Sequence, residues 1–404
     1  MPDLPRLRLR LFPRAEAAVV RGHPWVYGES IRDQNRSGEP GELAVIYDRR
    51  DRFLALGFYD PDSPIRVRVI QLRKPVQAGL DLWRERIRTA RDLRLSAGVF
   101  ATGTNGGRWI NGESDAMPGL VADRYDHTVV VKVYTPGWLA DWANVEQALR
   151  EELQPQYLLL RLSRNLAEIA ERRWGIVEGF RGEIGEDTVI FEESGLRFEA
   201  PIRFGQKTGF FLDQRENRRR VEAMAKGRDF LNAFSYSGGF SLYAARGSAS
   251  SVTDLDISGH ALDSAKRNFA LNHDIPEIAA VRHETVQADA FDWLKGSPPG
   301  QFGLVVLDPP SLAPREANRE AALEGYASLA AGGHRMLKRG GILIAASCSS
   351  HVTAEAFFET VRAVIHRSGR PHQELWRSEH AADHPATYPE GQYLKAICLQ
   401  MEEG

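Results

Sequence analysis

The feature that most constrains the fold is a regular alternation of strand and helix patterns that begins near Arg203. Short apolar runs predict the strands Asp229–Ala233, Ser251–Leu255, Ala279–Glu284, Leu304–Leu307 and Ile342–Ser347. Amphipathic stretches of helical period separate these runs. Such alternation is typical of a Rossmann-like α/β domain with a doubly wound parallel sheet, in which ligands bind at the carboxyl ends of the strands. The last run, Tyr393–Gln400, is expected to join the sheet as an antiparallel strand.

The rest of the chain divides by pattern into two smaller regions. Residues 1–75 carry short period-two runs and turns, which predict a small β-barrel, and residues 76–187 predict a central α+β domain. Residues 188–404 then form the sheet domain. With 43% hydrophobic and 26% charged residues, the chain is expected to be a soluble globular protein. No apolar run approaches the roughly 18 residues that span a bilayer, so we expect a cytoplasmic protein without membrane contact.

Cysteine count and net charge limit the chemistry further. The two cysteines, Cys348 and Cys398, are too few for a disulfide framework and lack the spacing of zinc ligands, so no metal is expected. The net charge of −2 does not by itself indicate a nucleic-acid binder. Residues 1–74 nevertheless hold 14 Lys and Arg against 10 Asp and Glu, a modest local excess of positive charge.

The turn at Gly238 and Gly239 follows the first predicted strand of the sheet domain and is suited to close approach of a ligand, although an ordinary turn is the alternative. Asp256 ends the next strand, where a carboxylate can hold a ribose diol. A dinucleotide dehydrogenase would need the spaced glycines of GxGxxG, whereas S-adenosylmethionine carries no phosphate and needs only the close approach and the acid. We therefore expect S-adenosylmethionine as cofactor. The predicted cofactor-binding residues are Lys207, Thr208, Asp213, Arg215, Asn232, Phe234, Ser235, Tyr236, Ser237, Gly238, Asp256, Ile257, Ser258, Asp289, Ala290, Phe291, Asp308 and Pro309.

Two reactive side chains, Cys348 and Asp308, each directly follow a predicted strand, so both are expected at one crevice. Pro309 and Pro310 stiffen the turn that carries Asp308. A helix start near Thr353 would favour the thiolate of Cys348. A small buried cysteine is more often inert, which is the alternative interpretation.

Several segments together resemble one family. In chain order, GQKTGFFLDQREN, LNAFSYSGGFSLYA, VTDLDIS, LDPPS and AASCSS resemble the bacterial ribosomal RNA large-subunit methyltransferase I family. RGHPWVYGESI is similar to the RNA-binding PUA domain of that family and NGESDAMPGLVADRYD to its central domain, so the resemblance covers nearly the whole chain.

The resemblance implies transfer of the S-adenosylmethionine methyl group to carbon 5 of a cytosine in 23S ribosomal RNA. It implies that Cys348 adds to carbon 6 of the base, since carbon 5 is otherwise too weak a nucleophile, and that Asp308 binds the base edge. The implied RNA-binding residues are Pro310, Ser311, Arg21, His23 and Trp25.

The sequence departs from the family after the two prolines, where Leu312 stands in place of the usual Phe. The missing aromatic ring leaves the identity of the substrate nucleotide open. One alternative is a methyltransferase for an exocyclic amine or for guanine, which would use Asp308 and leave Cys348 idle. Another is a non-catalytic RNA-binding or ribosome-assembly factor. A homodimer is also left open.

Overall fold

The structure, a computed structural model, describes residues 6–101 and 103–402. The chain divides into two compact units. The first comprises Met1–Val189, Ala200–Phe210 and Ala382–Tyr388, and the second comprises Ile190–Glu199, Phe211–Ala381 and Pro389–Gly404. The division into three domains after residues 75 and 187 remains a prediction.

The first unit begins with a mostly antiparallel sheet. Its elements are β1 (Leu7–Leu11), α1 (Pro13–Val20), β2 (Trp25–Tyr27), β3 (Ile31–Gln34), β4 (Leu43–Tyr47), β5 (Phe53–Tyr59) and β6 (Ile65–Leu72). The strand order is β2-β6-β5-β4-β1-β3, with β1 parallel to β4. Leu7, Leu9 and Leu11 are buried and the arginines between them are exposed, as the period of two requires. Because β2 and β3 end this order, the predicted small barrel is a half-barrel.

The same unit continues with a second sheet and its helices. The elements are α2 (Leu80–Ser96), β7 (Gly106–Asn111), β8 (Leu120–Tyr125), β9 (Thr128–Val133), α3 (Gly137–Ala140), α4 (Trp142–Leu153), β10 (Tyr157–Leu162), α5 (Arg164–Trp174) and β11 (Gly179–Phe180). The strand order is β11-β10-β9-β8-β7. The Trp138 ring lies 4.7 Å from that of Phe58 on β5 and 4.8 Å from that of Trp83 on α2. The two sheets of the first unit therefore share part of their core.

The second unit holds the alternating elements that the sequence predicts. After the paired strands β12 (Val189–Glu193) and β13 (Leu196–Ala200) come α6 (Arg215–Met224), β14 (Asp229–Ala233), α7 (Gly239–Arg246), β15 (Ser251–Asp256), α8 (Gly259–Leu271), α9 (Pro276–Ala280), β16 (Arg282–Gln287), α10 (Ala290–Gly296), β17 (Phe302–Leu307), α11 (Arg319–Met336), β18 (Leu337–Ser347), α12 (Ala354–Arg367), β19 (His372–Ser378) and β20 (Lys395–Met401).

The main sheet of this unit has the order β16-β15-β14-β17-β18-β20-β19. The first five strands are parallel, whereas β20 runs antiparallel to both β18 and β19. The predicted fold class and the antiparallel pairing of the last strand are thus confirmed. The strand order reverses direction between β14 and β17, and open α/β sheets bind their ligands beside such a point.

One predicted strand is wrong in position. The run expected as strand Ala279–Glu284 is split between helix α9 and strand β16. Pro276 explains the helix, because its fixed φ and missing N–H suit the first helical turn, and Ile275 before it is extended. The strand therefore starts three residues later than predicted.

Two further observations concern the described residues. Within residues 6–101 and 103–402, no helix is long and apolar enough to cross a membrane. Over the same ranges, no group of three or more His, Cys, Asp or Glu side chains is placed to hold a metal ion.

Candidate active site

Loops follow the carboxyl ends of the adjacent strands β15, β14, β17 and β18 in the second unit. In the ladder Ala233 pairs with Leu255 and with Leu307, and Leu307 pairs with Ala345, so the loops begin side by side. Side chains at this edge of a parallel sheet converge on one crevice. Most of the predicted site residues of the second unit lie in these loops.

The loop after β14 has a constrained backbone. Phe234, Tyr236 and Gly238 have positive φ angles of 64°, 48° and 74°. For bulky side chains this conformation is rare, and it is found where the surrounding structure imposes it, often at ligand sites. Here the N–H groups of Phe234 and Ser235 donate to the Leu255 carbonyl at 2.8 and 3.1 Å. A Cβ on Gly238 would lie 2.9 Å from α8, so this position needs glycine both for its φ and for its packing.

Three buried oxygens beside this loop have no hydrogen-bond partner in the described part of the chain. They are Asn232 Oδ1, Ser235 Oγ and Ser237 Oγ. Buried polar atoms are normally paired, and an unpaired one costs about 1–3 kcal/mol. A polar ligand that approaches the loop would supply the missing partners. S-adenosylmethionine fits this set, because its amino group and ribose hydroxyls are donors and no phosphate has to be accommodated.

Asp254, in the interior of β15, is surrounded by side chains that belong to the fold. Its carboxylate is fully buried and accepts from Asn232 Nδ2 at 3.2 Å and from the Ser241 hydroxyl. A ring nitrogen of His283 lies 2.8 Å from its other oxygen. These contacts hold neighbouring strands and α7 together, so Asp254 belongs to the sheet interior.

Asp256, at the end of the same strand, is half-exposed and bonds backbone. Its oxygens accept from the N–H groups of Tyr236 at 2.8 Å and Ser258 at 2.9 Å. The Ser258 hydroxyl in turn accepts from Ala261 N at 3.3 Å and caps α8. Asp256 therefore fixes two loops at the crevice edge, and the adjacent Ile257 side chain is 69% exposed. A carboxylate beside an exposed apolar side chain suits a ribose with its attached base.

The residues predicted to contact adenine begin α10. Asp289 caps this helix by accepting from Asp292 N at 3.1 Å. Ala290 is buried, and the Phe291 ring packs edge-on against Phe234 at 6.1 Å between centroids. Phe291 thus links the loops after β14 and β16.

Asp308, after β17, is held by a residue that the sequence does not single out. Gln214 Nε2 donates to Asp308 Oδ1 at 2.9 Å, and Asn217 Nδ2 donates to Gln214 Oε1 at 2.6 Å. An amide that is itself fixed sets the orientation of the carboxylate. Gln214 lies within the predicted segment GQKTGFFLDQREN, but nothing in the sequence distinguishes it from its neighbours.

Those neighbours, Asp213 and Arg215, were predicted to bind the cofactor and are buried in the structure. Asp213 Oδ2 accepts from the Tyr393 hydroxyl at 2.8 Å. Arg215 Nε lies 3.2 Å from Glu216 Oε1. Their cofactor role remains a prediction.

Cys348 directly follows β18 and is half-buried between two fully buried serines, Ser347 and Ser349. Side chains alternate along an extended chain, so the serines anchor the loop while the cysteine faces the other way. Its Sγ lies 3.9 Å from the carbonyl oxygen of Pro309. The thiol is therefore next to the loop that carries Asp308, as the sequence predicts.

A hydroxyl cluster, made of Ser311, Ser349 and Tyr326, ties these two loops together. Ser349 Oγ lies 3.1 Å from Ser311 Oγ and 2.8 Å from the Tyr326 hydroxyl. It also accepts from the N–H groups of Leu312 and Ala313 at 3.1 and 3.2 Å. Burial raises the pKa of Tyr326, so its phenol stays protonated. Tyr326 lies in the middle of α11, where the sequence gives no sign of this role.

Leu312, at which the sequence departs from the family resemblance, has a side chain that faces the protein. Leu312 packs against the hydrophobic cluster under α11, close to Gly325. In contrast, Pro310 and Ser311 are exposed. The structure thus offers Pro310 and Ser311, and not residue 312, to a ligand.

Two predicted cofactor residues, Lys207 and Thr208, belong to the first unit. The Thr208 hydroxyl is buried, donates to Asp123 Oδ2 and lies 3.0 Å from the Tyr125 hydroxyl. The Lys207 carbonyl accepts from Arg161 Nη1 at 3.0 Å. Both residues therefore have contacts within the first unit, and their cofactor role remains a prediction.

The predicted RNA-binding residues near the start of the chain also lie in the first unit. Arg21 is exposed just after α1, and Nδ1 of His23 accepts from Trp25 N at 3.2 Å. The Trp25 indole N–H donates to Glu113 Oε1 at 2.7 Å, and its ring packs against Tyr388 at 5.1 Å. Trp25 is thus held on two sides, whereas Arg21 faces solvent.

Comparison with protein families gives two matches. Residues 164–367 match the S-adenosylmethionine-dependent methyltransferase family, and residues 9–72 match a PUA-like domain. Among solved structures, a chain assigned as a SAM-dependent methyltransferase from Streptococcus mutans has a TM-score of 0.81 at 20% identity, covering 97% of this chain and 99% of that one. A methyltransferase structure complexed with SAH has a TM-score of 0.82 at 21% identity, with the same coverage. The fold and the strand-end loops thus define an S-adenosylmethionine-dependent methyltransferase.

Curated relatives place the chain more closely. A ribosomal RNA large subunit methyltransferase of Deinococcus radiodurans is 55% identical over 98% of both chains. A ribosomal RNA large subunit methyltransferase I of Tolumonas auensis is 34% identical over 95% of this chain and 97% of its own length. The chain belongs to the ribosomal RNA large subunit methyltransferase family. The family resemblance, the PUA-like region and S-adenosylmethionine as cofactor are confirmed.

Proposed function

We propose that this chain methylates carbon 5 of a cytosine in 23S ribosomal RNA through a covalent adduct of Cys348. The names of the relatives support the choice of large-subunit ribosomal RNA. The observation that carries the chemistry is the place of Cys348 at the carboxyl edge of the sheet, with its Sγ 3.9 Å from the Pro309 carbonyl in the Asp308 loop. Ligands of open α/β sheets bind in the crevice at this edge, so a partly exposed thiol here is placed to reach one.

The residues at the carboxyl edge have distinct roles toward the cofactor in this proposal. Ser235 and Ser237 donate or accept with hydroxyls that have no partner among the described residues, and Asp256 binds the ribose diol. Ile257 and Phe291 pack against the adenine. When bound there, S-adenosylmethionine supplies an electrophilic methyl group on a sulfonium.

The protein has to make cytosine carbon 5 nucleophilic. The Cys348 thiolate would add to carbon 6, and the electron pair of the carbon 5–carbon 6 double bond would become available at carbon 5 to take the methyl group, while the sulfonium–methyl bond breaks and the cofactor leaves as a thioether. Transfer of the carbon 5 proton to a general base would then restore the double bond and expel the thiolate. Asp308, oriented by Gln214, holds the amino edge of the base during these steps.

RNA binding is assigned to the predicted residues of the first unit and to the proline turn. Arg21 is exposed and contacts phosphate, which contributes to RNA affinity but does not distinguish one base sequence from another. His23 and Trp25 support this surface, because Trp25 is fixed by Glu113. Pro310 and Ser311 contact the extruded base, since a base inside a duplex must be flipped out to reach a thiol.

The test is trapping of the covalent adduct on RNA. Transcripts of 23S ribosomal RNA that contain 5-fluorocytidine are incubated with the protein and S-adenosylmethionine. Fluorine cannot leave as a proton does, so the Cys348 adduct should persist and appear as a protein–RNA band whose peptide mass maps to Cys348. Nucleoside analysis of unmodified RNA should show 5-methylcytidine. A methylated guanosine or exocyclic amine, with no trapped band, would replace the proposal by the cysteine-independent alternative.

A further inference from the structure

Lys395, the first residue of β20, is a buried lysine that the proposed mechanism does not use. Its side chain is 1% exposed, and in the ladder it lies opposite Ser347. Its Nζ donates to the carbonyl oxygens of Ser349 and Val352. The ammonium group thus lies against the turn that begins with Cys348.

The charge of this lysine is unusual for its environment. Lysines are almost never fully buried unless they are paired with an acid. Within residues 6–101 and 103–402 Lys395 forms no ion pair with a carboxylate, since its partners are the two carbonyls. Burial lowers the pKa of Lys395 to about 8, and a negative charge on Cys348 opposes this shift. An uncharged donor could serve the two carbonyls without the cost of burying a charge, so the charge needs a further reason.

The surroundings of the thiol supply that reason. A thiolate of Cys348 would face the Pro309 carbonyl oxygen, which lies 3.9 Å from Sγ. The partial negative charge of that oxygen disfavours a negative charge on sulfur. A buried cation against the cysteine turn offsets this repulsion, and the effect is strong because water is excluded.

Other titratable groups lie on the elements that pack around this turn. Besides Asp308 they are Tyr326, His351, Glu316, His380 and Tyr393. His351 Nδ1 lies 3.3 Å from Glu316 Oε2; the His351 side chain is partly exposed and that of Glu316 is mostly exposed. The Tyr326 phenol stays protonated because of its burial. Their titration is common to all variants below, so differences among the variants report the lysine.

We propose that Lys395 is a positioning residue that acts through Cys348. Its ammonium group stabilises the thiolate, and its N–H groups fix the turn that follows the cysteine. Lys395 itself touches neither RNA nor cofactor. The inference rests on the proposed role of Cys348 as the nucleophile.

The test is the pH dependence of iodoacetamide labelling of Cys348 in the full-length protein, measured by peptide mass. Three variants separate charge from hydrogen bonding. Lys395→Met removes both, Lys395→Gln keeps amide donors without charge, and Lys395→Arg keeps charge and donors. The other cysteine, Cys398, is the internal control, because it is fully buried and burial raises its pKa to about 12.

The wild-type labelling midpoint is expected below about 8.5, the value of an unperturbed thiol. The midpoint should rise by about one pH unit in the Met and Gln variants, and labelling near pH 7 should slow about tenfold. The Arg variant should stay near wild type. A Gln variant that binds S-adenosylhomocysteine and keeps the wild-type profile overturns the inference. If the variants do not fold, the wild-type midpoint decides, and a value of about 8.5 or above overturns it.

Methyl transfer by the same proteins separates this inference from the proposed function. If Cys348→Ala retains methyl transfer, the nucleophile proposal fails while the labelling profiles still report the lysine. If Cys348→Ala abolishes transfer but Lys395→Gln matches wild type in labelling and kcat, only the lysine inference fails. The expected result is loss of kcat in Lys395→Gln with little change in KM.

Discussion

The carboxyl edge of the main sheet and the interior of the same sheet use the same residue types for different purposes. Cys348 and Asp256 lie at the edge, whereas Cys398 lies on the adjacent strand β20 and Asp254 lies two residues before Asp256 on β15. The interior pair is fully buried, and Asp254 is bound by side chains on three sides. The edge pair is half-buried and contacts backbone groups of loops. Position along a strand, more than residue type, therefore decides whether such a side chain is enclosed in the sheet or available at its edge for the proposed chemistry.

The largest expected contrast is between the two cysteines. Cys348→Ala should lower kcat for ribosomal RNA methylation at least about a thousandfold, because the nucleophile is lost. Cys398→Ala should keep activity within about twofold and lower the free energy of unfolding by about 1–2 kcal/mol, since it only removes a buried sulfur that lies 4.0 Å from Met224 Sδ. Radioactive methyl transfer and urea unfolding measure the two effects. Substantial activity in Cys348→Ala would contradict the expected difference between the two cysteines and favour a cysteine-independent methyltransferase.

The two aspartates of β15 give a smaller contrast. Asp256→Ala should weaken S-adenosylhomocysteine binding about 10- to 100-fold, as expected for a lost hydrogen bond to a charged group. Asp254→Ala should instead lower the free energy of unfolding by about 3 kcal/mol, because it leaves His283 and Asn232 without their buried partner. Calorimetry and urea unfolding distinguish the two. Equal effects of both variants on binding, at matched stability, would remove the distinction between edge and interior.

The smallest contrast concerns two serines near the same loop. Ser237 Oγ has no partner in the described part of the chain, whereas Ser241 Oγ lies 2.9 Å from Asn232 Nδ2 and also bonds Asp254. Ser237→Ala should leave stability unchanged or raise it slightly and weaken cofactor binding about threefold to tenfold. Ser241→Ala should lower the free energy of unfolding by about 1 kcal/mol with nearly unchanged binding. Loss of stability in Ser237→Ala would show that its hydroxyl serves the fold.

The sequence predicted the sheet well because the local pattern of each strand agreed with its place in the fold. The bounds of β14 match the predicted Asp229–Ala233. The motifs that follow the strands lie at the carboxyl edge of the sheet, as predicted. The polar strand β19 escaped prediction because alternate residues are only half-buried, which leaves little apolar signal.

The candidate site was predictable only where a motif directly follows a strand. Asp256, Asp308 and Cys348 satisfy this condition. Gln214 and Tyr326 do not, because they reach the edge through tertiary contacts, from the residue just before α6 and from α11, and have no motif of their own. Thr208 belongs to one of the motifs, and its hydroxyl contacts Asp123 in the first unit, a contact that the sequence does not indicate.

A single serine oxygen has a practical consequence for anyone who wishes to redesign base preference. The Ser349 hydroxyl binds both Ser311 and the backbone of Leu312, so the proposed base-contacting turn and the proposed nucleophile share one anchor. Changing the proline turn alone would also displace the sulfur. New specificity therefore requires compensating substitutions in both loops at once, and libraries that vary one loop should return mostly inactive proteins.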